Sequence, residues 1–426
     1  MEFAQVFAIG VFLLAMVLIV SEKVHRTVVA IAGTAILLLF HVMDFETAMH
    51  HVDNNTLGVL FGMMLFVAVV KESGLFEYLA VKTAKMAKGD PWVIMVAYVL
   101  LTAVCSAFLD NVTTVLLMGP MTLTICRMLN VNPIPYFLVE IMASNIGGTA
   151  TLIGDPPNIM IGSAAGFTFA DFIMYDAPAV IIALVVVLVL FYFMYGRKMH
   201  VSDEDKERVL ELNEKEQIHD PKLMRQSIIV LVIVVVGFMV HGQLGVESSV
   251  IALGAAALLL LISRRDVTKA LLHVEWTTLG FFAGLFIIVG ALVETGTIDT
   301  LANALINVTG GDVFLTMIVL VFASAIISSF LDNIPFVATM IPILLAMEAS
   351  GMDVHPLWWA VSLGACLGGN GTLIGASANV VLSDIAGKNG YPISFISYLK
   401  VGFPIMLLTT GVAAVYLIVR YMLGAL

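Results

Sequence analysis

The four residues Phe108-Leu109-Asp110-Asn111 occur again as Phe330-Leu331-Asp332-Asn333, each time inside a long apolar segment. An aspartate in such a segment is costly unless it has a partner or a function. A costly acid at the same place in both halves of a chain indicates two copies of one unit. The repeat therefore predicts a polar site where the two copies meet.

Other motifs hold the same register as the two Phe-Leu-Asp-Asn strings. His51-Val52-Asp53 matches His273-Val274-Glu275 at the same offset of 222 residues. The glycine-rich stretch 147–154 matches 368–375 at an offset of 221, and Asn158 matches Asn379 in that register. One register held over so many motifs is not expected by chance, so we predict a duplication of nearly the whole chain.

The composition is that of a membrane protein. Of the 426 residues, 60% are hydrophobic and only 12% are charged, whereas soluble domains are about half apolar and about a quarter charged. The net charge of -11 is not organised into a basic patch, so no nucleic-acid partner is expected. The three cysteines form no CxxC pair and are predicted to pack in the core.

Long apolar runs predict an all-α polytopic membrane protein with ten spans and two re-entrant hairpins, five spans and one hairpin in each half. Residues 1–198 form the predicted first repeat, 199–225 a solvated cytoplasmic linker, and 226–426 the second repeat. The predicted apolar helices cover 3–20, 26–43, 56–72, 172–196, 226–242, 247–263, 276–294 and 396–422. The broken helices are predicted at 134–165 and 356–387, the hairpins at 91–109 with 112–128 and 313–331 with 333–349, and interfacial helices at 75–87 and 297–307.

Lysine and arginine set the predicted orientation, because basic residues collect on the cytoplasmic side. The stretch 197–225 holds seven of them, whereas 44–55, 243–247, 295–312 and 350–355 hold none. This places the linker in the cytoplasm and both termini outside, in what we expect to be a prokaryotic plasma membrane. Five spans is an odd number, so the second copy is inverted relative to the first. Two inverted copies are typical of secondary transporters, and no enzymatic activity is predicted.

Two kinds of polar element recur in the apolar segments: the hairpin turns and the glycine-rich helix breaks. A break frees backbone groups that lipid cannot satisfy, so such groups line a polar site. We therefore predict the substrate or ion ligands among the polar residues of these elements. They are Asp110, Asn111, Thr113, Ser144, Asn145, Gly148, Thr149, Thr151, Asp155, Asn158, Asp332, Asn333, Asn370, Gly371, Thr372, Ser377 and Asn379.

The acids in this set allow more than one interpretation. Asp110 and Asp332 can bind a cation, carry a proton or hydrogen-bond a neutral substrate, or can cap the helices that follow them. The coupling ion is predicted to be a proton or sodium, and the candidate sodium ligands are Asp110, Asn111, Asp332 and Asn333. No cofactor is predicted. Asp155 has no acidic counterpart, because Ala376 occupies the matched position. It is either the acid that makes the site asymmetric or a cap for the helix opened by two prolines.

The stretch from Ser144 to Asn158 reads Ser-Asn-Ile-Gly-Gly-Thr-Ala-Thr-Leu-Ile-Gly-Asp-Pro-Pro-Asn. Together with the hairpin motifs it resembles the ArsB/NhaD permeases of the ion transporter superfamily, and most of all their P-protein branch. The resemblance implies a homodimer, an elevator-like motion, and arsenite efflux, sodium/proton exchange or silicic acid efflux. The Ser-Asn-Thr signature of sodium-coupled dicarboxylate relatives is interrupted by Ile146, which argues against citrate or succinate.

No Lys or Arg lies within the hairpin turns or helix breaks, so a small uncharged oxyacid is the leading prediction for the substrate. The leading function is therefore proton-coupled efflux of arsenite or a similar oxyacid. Sodium/proton antiport and sodium-coupled transport of a carboxylate or another anion are the alternatives. An intramembrane aspartyl protease is disfavoured, because its Gly-x-Gly-Asp motif would need glycine where Leu152 stands. A channel would not need the inverted repeat.

Overall fold

The computed structural model describes residues 3–21 and 23–426, and every regular element in that part is a helix. Residues 1, 2 and 22 of the predicted first repeat lie outside the described residues. The helices of the first half are α1 (Phe3–Val20), α2 (Arg26–Leu39), α3 (Phe45–His50), α4 (Asn54–Lys71), α5 (Leu75–Met86), α6 (Pro91–Phe108), α7 (Asn111–Met128), α8 (Ile134–Thr149), α9 (Pro156–Ala165), α10 (Phe169–Tyr175) and α11 (Ala177–Met194).

After a short 3-10 helix, Gly196–Lys198, the chain continues through α12 (Asp203–Leu210) and a second 3-10 helix, Glu214–Gln217. The helices that follow are α13 (Pro221–Leu244), α14 (Ser248–Ser263), α15 (Val267–Leu272), α16 (Trp276–Glu294), α17 (Thr297–Thr309), α18 (Val313–Phe330), α19 (Asn333–Ala349), α20 (His355–Gly368), α21 (Ser377–Lys388) and α22 (Phe395–Met422).

The helix boundaries repeat as the motifs do. Six successive helices, α2 to α7, each begin 222 residues before their counterparts α14 to α19. The offset falls to 221 for α8 with α20 and for α9 with α21, because α19 is one residue shorter than α7. The duplication therefore covers the elements themselves, including the two hairpins and the two breaks.

The same local signals start the helices in both copies. Asp90 accepts a hydrogen bond from the amide of Val93 at the start of α6, and Asp312 accepts one from the amide of Leu315 at the start of α18. Such a side chain satisfies an amide that has no partner within the helix. Prolines at the first positions of α8, α9 and α20 fix φ where no amide donor is needed.

The packing exchanges partners between the copies. Helix α2 packs on α16 while its counterpart α14 packs on α4, and α7 packs on α21 while its counterpart α19 packs on α9. An exchange of this kind is produced by an approximate two-fold axis between the copies. Such an axis agrees with the prediction of inverted repeats.

Two groups of helices result. We call α1, α2, α4, α13, α14 and α16 the frame helices, and the hairpins with the broken helices (α6 to α9 and α18 to α21) the site helices. Helices α11 and α22 pack on the site helices. The second arm of each hairpin (α7 and α19) lies beside a broken helix of the other copy, whereas the first arm (α6 and α18) packs on the broken helix of its own copy. The polar turns and breaks of both copies therefore come together inside the molecule.

Among the described residues, eight helices are long and apolar enough to cross a membrane, and they include the hairpin arms α6 and α18. Helices Arg26–Leu39, Ser248–Ser263 and Asn333–Ala349 are apolar but shorter. The exposed faces of the apolar helices, long and short, carry many large apolar side chains, as a lipid-facing surface requires. The predicted fold class, an all-α polytopic membrane protein with duplicated hairpins and breaks, is confirmed.

The linker is partly packed rather than wholly solvated. The amide of His219 donates to the Ser73 carbonyl at 3.0 Å, and the Val209 side chain on α12 is fully buried. Lys85 forms an ion pair of 2.7 Å with Glu214, and this hydrogen bond lowers the pKa of the Glu214 carboxyl. The linker therefore lies against α5 and α7 of the first copy, which corrects the sequence expectation.

Candidate functional site

The two hairpin turns begin with aspartates that cap the following helices. Asp110 accepts hydrogen bonds from the Thr113 amide at 2.8 Å and from the Thr113 hydroxyl at 2.5 Å. Asp332 accepts one from the Ile334 amide at 3.0 Å. Both therefore act as helix caps, as one of the two interpretations predicted. Both carboxylate oxygens of Asp110 therefore accept a hydrogen bond.

Asp155 occupies the point where the two copies meet. Its carboxylate accepts hydrogen bonds from the Asn333 amide group at 3.1 and 3.3 Å and from the Asn111 amide group at 3.5 Å. These asparagines follow the capping aspartates in the two hairpin turns. Asp155 is fully buried and makes no capping bond to α9. Its side chain thus joins both hairpins, which a cap would not do.

A chain of amide side chains extends from this point. Asn111 donates to the Asn145 side-chain oxygen at 3.4 Å, and Asn145 donates to Asn370 at 2.9 Å and to Asn379 at 2.8 Å. All four side chains are buried. The network links a hairpin of the first copy with the broken helix of the second, so these residues form one polar centre.

Asparagines and threonines also hold the helix breaks open. Asn158 donates to the carbonyls of Thr149 and Thr151, both at 3.0 Å, and Asn379 donates in the matched way to Thr372 at 2.9 Å. The hydroxyls of Thr151 and Thr372 donate to carbonyls in the last turns of α6 and α18. Freed backbone carbonyls are thus satisfied by side chains, as a dry interior demands.

Glycine is required where the break folds back on itself. A Cβ on Gly154 would lie 2.5 Å from the Gly148 carbonyl oxygen, and a Cβ on Gly371 would lie 2.6 Å from the Ser329 side chain. No side chain fits at either place. These glycines shape the site and supply no ligand atoms from a side chain.

Arg26 brings a positive charge to the second hairpin. Its guanidinium lies at the start of α2 and contacts the Asp332 carboxylate at 3.4 Å and the Ser377 hydroxyl at 2.8 Å. It also donates to the Thr278 hydroxyl at 3.4 Å and lies 5.1 Å from the centre of the Phe281 ring. The prediction of a site without a cationic side chain is therefore wrong, because a frame helix supplies one.

Two cavities lie on either side of Arg26 and Ser377. The inner cavity, of about 30 Å³, is lined by Arg26, Ser377 and the acids Asp110, Asp155 and Glu275. This volume suits one or two water molecules or an ion. The outer cavity, of about 350 Å³, is lined by Arg26, Ser377 and Asp332 together with mainly apolar side chains. Its size falls at the small end of ligand pockets, about 300–1,000 Å³.

The structure brings part of the predicted set together. Asp110, Asn111, Asp155, Asn333 and Ser377 line the inner cavity, and Asn145, Asn370 and Asn379 are connected to it by hydrogen bonds. Asp332 lines the outer cavity. The remaining predicted residues support the turns and breaks: Thr113, Ser144, Gly148, Thr149, Thr151, Asn158, Gly371 and Thr372. In the described residues no cluster of three or more His, Cys, Asp or Glu is placed to hold a metal ion.

The sequence interpretation missed the frame residues of the site. Glu275 and Thr278 belong to a matched motif of the two repeats, with Asp53 and Thr56 as counterparts. That repetition was the available signal. The sequence gives no such signal for Arg26, because its counterpart is Ser248 and its position beside an apolar span is typical of a membrane boundary.

Comparisons with known proteins agree with a transport site. Residues 16–364 match the family model described as "Citrate transporter". The "46 kDa membrane protein" of Mycobacterium leprae is 42% identical over 425 residues, which cover 98% of this chain and 99% of the relative. An uncharacterized transporter of Mycobacterium tuberculosis is 42% identical over 424 residues, with 98% of this chain and 99% of the relative covered.

More distant similarities extend to human and to solved structures. The P protein of Homo sapiens is 35% identical over 492 residues, which cover 95% of this chain and 58% of that protein. The crystal structure of the YdaH transporter from Alcanivorax borkumensis has a TM-score of 0.66 with 13% identity, and 99% of each chain is covered. The expected P-protein relatives are thus found, whereas the matching family is not ArsB/NhaD by name.

Proposed function

The chain belongs to the citrate transporter family, and from that membership we propose that it is an ion-coupled secondary transporter of a small carboxylate. The proposal rests on one observation above all. Asp155 accepts hydrogen bonds from both hairpins, next to an arginine that a frame helix supplies. A site shared by two inverted copies is where a secondary transporter binds its substrate and coupling ion.

The acidic and basic side chains of the site suit different ligands, the coupling ion and the substrate. Asp110, Asp155 and Glu275 line the small inner cavity, and their negative charge attracts a coupling cation, a proton or a sodium ion, although the three carboxylates do not converge on one metal position. Arg26, between the inner and outer cavities, suits a carboxylate, because its planar guanidinium can bind both carboxylate oxygens. A bound cation offsets the repulsion between the acids and the substrate anion. Binding of the two is thereby coupled.

An unequal contact between frame and site helices supports an elevator-like motion. At one end, Asn55 of the frame donates to Ser163 of α9 at 3.3 Å. At the other end, Arg26 of the frame donates to Ser377, whose counterpart on α9 is Pro156. Ser163 lies two helical turns beyond Pro156, which is about 10 Å along the helix. Equal halves would make equal contacts, and this inequality supports the proposal that the transporter has two states, of which this structure is one.

The second state follows by exchanging the contacts of the copies. The counterpart of Asn55 is Thr277, and the counterpart of Ser163 is Asp384. In the exchanged state Thr277 lies beside Asp384, and Ser377 has moved away from Arg26. The outer cavity closes and its counterpart in the first copy opens. The substrate thereby passes from one side of the membrane to the other.

Sodium/proton antiport is the second candidate, and the three acids of the inner cavity favour it. The prediction of arsenite rested on a site without a cationic side chain. Arg26 supplies such a side chain, so that argument no longer holds. Ile146 argued against citrate, but the Ser-Asn-Thr signature is one way of binding a carboxylate, and Arg26 offers another. As predicted from sequence and resemblance, we also propose that the protein is a homodimer in a lipid bilayer, with the linker in the cytoplasm and both termini outside.

A flux panel in proteoliposomes tests the function. The purified protein is reconstituted, and uptake of radiolabelled citrate, succinate, arsenite and sodium is measured with and without a pH gradient and a sodium gradient. We expect uptake of a carboxylate above that of empty liposomes, increased by one of the two gradients. Sodium flux driven by pH without any carboxylate would support antiport instead. Gradient-driven arsenite flux with no carboxylate flux would overturn the proposed substrate.

A further inference from the structure

A second buried acid lies outside the site described above. Asp176, between α10 and α11, is fully buried. One carboxyl oxygen, Oδ2, lies 2.5 Å from the Ser362 hydroxyl, and the other, Oδ1, has no hydrogen-bond partner among the described residues. An unpaired carboxylate in such a place is very costly. Burial of the same group as a neutral carboxylic acid costs much less free energy.

The two contacts of the Ser362 hydroxyl show how many hydrogens this cluster must contain. The Ser362 hydroxyl oxygen lies 2.5 Å from Asp176 Oδ2 and 2.8 Å from Asn158 Oδ1. A serine hydroxyl has one hydrogen, so it can donate to only one of these two oxygens. Each of the two close contacts nevertheless needs a hydrogen between its oxygens. One hydrogen must therefore come from Asp176 or from Asn158.

Asn158 cannot supply it. Its amide nitrogen Nδ2 donates to the carbonyls of Thr149 and Thr151, both at 3.0 Å, and this fixes which atom of the side chain is the oxygen. Oδ1 is an acceptor only. The remaining source is the Asp176 carboxyl, whose O–H donates to Ser362 while Ser362 donates to Asn158. This arrangement gives both contacts a hydrogen, and an ionised Asp176 leaves one of them without.

The charged and titratable groups nearby do not offer Asp176 a counter-ion. Arg420 on α22 donates to the Met174 carbonyl at 2.6 Å and to the Tyr416 hydroxyl at 2.8 Å, and Tyr416 donates to the Tyr175 carbonyl. Cys366 on α20 lies 3.5 Å from Asn158 Oδ1. His355 is adjacent to the rings of Tyr175 and Trp359. In the described part of the chain none of these forms an ion pair with Asp176.

We propose that Asp176 is a proton-binding site, protonated in this conformation and linked to the central site through Ser362 and Asn158. Asn158 lies one turn after Asp155 on α9, and its amide donates to the Asp155 carbonyl at 3.0 Å. Loss of the proton breaks the bond to Ser362 or the bond from Ser362 to Asn158. Asn158 holds the first helix break, so the protonation state of Asp176 acts on the geometry of the site. This coupling rests on the proposed transport function, whereas the protonation itself does not.

Infrared spectroscopy tests the protonation without any transport. The reconstituted protein at neutral pH is compared with Asp176→Asn, and with Asp353→Asn as an exposed control. We expect a carbonyl band of a protonated carboxyl in the wild type and in Asp353→Asn, reduced in Asp176→Asn. Ser362→Ala keeps the acid and removes its partner, so the same band is expected to shift. An unchanged band in both Asp176→Asn and Ser362→Ala would overturn the assignment.

Transport measurements test the coupling. With the carboxylate found in the flux panel, Asp176→Asn is expected to lose the response of uptake to a pH gradient, while Asp353→Asn keeps it. Wild-type uptake that does not respond to a pH gradient, or an Asp176→Asn variant that keeps the response, would overturn the coupling, while the infrared band would still decide the protonation of Asp176. Absence of all transport in the wild type would overturn the proposed function, but the infrared result would still decide the protonation of Asp176.

Discussion

Replacement of Asp155 by asparagine is expected to reduce gradient-driven uptake about 100-fold, a loss of about 3 kcal/mol. Asparagine keeps the size of the side chain but removes its charge. One of its two polar atoms becomes a donor that faces the amide groups of Asn111 and Asn333, which are donors themselves. The variant thus loses both the acid of the inner cavity and the acceptor that joins the hairpins.

The control for this prediction is Asp299→Asn, which removes the same charge from an exposed position on α17. Both variants are reconstituted at equal protein density, and initial rates of carboxylate uptake are compared. Elution of Asp155→Asn as a folded protein excludes a general loss of structure. Uptake by Asp155→Asn within about threefold of the wild type, less than 1 kcal/mol, would mean that Asp155 is not central to transport.

Replacement of Arg26 by glutamine is expected to reduce carboxylate uptake at least about tenfold, or about 1.4 kcal/mol. Glutamine can keep a hydrogen bond to Ser377 but has no charge for a carboxylate. The loss leaves Asp332 without its ion pair and adds to the negative charge around the cavities. Arg26→Lys is expected to recover part of the activity, because lysine restores the charge but not the planar pair of donors.

A double variant separates the two roles of Arg26. If the arginine only neutralises Asp332, then Arg26→Gln together with Asp332→Asn restores uptake. If it binds the substrate, as proposed, the double variant stays at the level of Arg26→Gln or below it. Comparison of the four proteins isolates the pairwise effect. Full recovery in the double variant would remove Arg26 from substrate binding.

The sequence alone predicts those parts of the fold that depend on local pattern. The paired motifs gave the duplication, and glycines with prolines gave the positions of the two helix breaks. Asp155 stood out because Ala376 occupies the matched position. All of these are properties of short segments or of a fixed offset, so they can be read before any packing is known.

Contacts between distant segments could not be predicted in this way. Arg26 and Asp332 are 306 residues apart, and no pattern in either segment specifies the other. Asp176 and Ser362 are 186 residues apart and belong to different copies. Their partners are set by how the helices pack, which composition and periodicity do not determine. This is why the sequence did not assign Arg26 to the site.

Cross-linking of cysteine pairs tests most directly whether the two halves exchange their contacts. In a background without the native cysteines, Asn55→Cys with Ser163→Cys reports the contact present in this structure. Thr277→Cys with Asp384→Cys reports its counterpart in the exchanged state. We predict that both pairs cross-link in reconstituted, transporting protein and that none of the four single variants does. Substrate is expected to change the ratio of the two cross-linked products. Cross-linking of the first pair alone, in protein that still transports, would contradict the account.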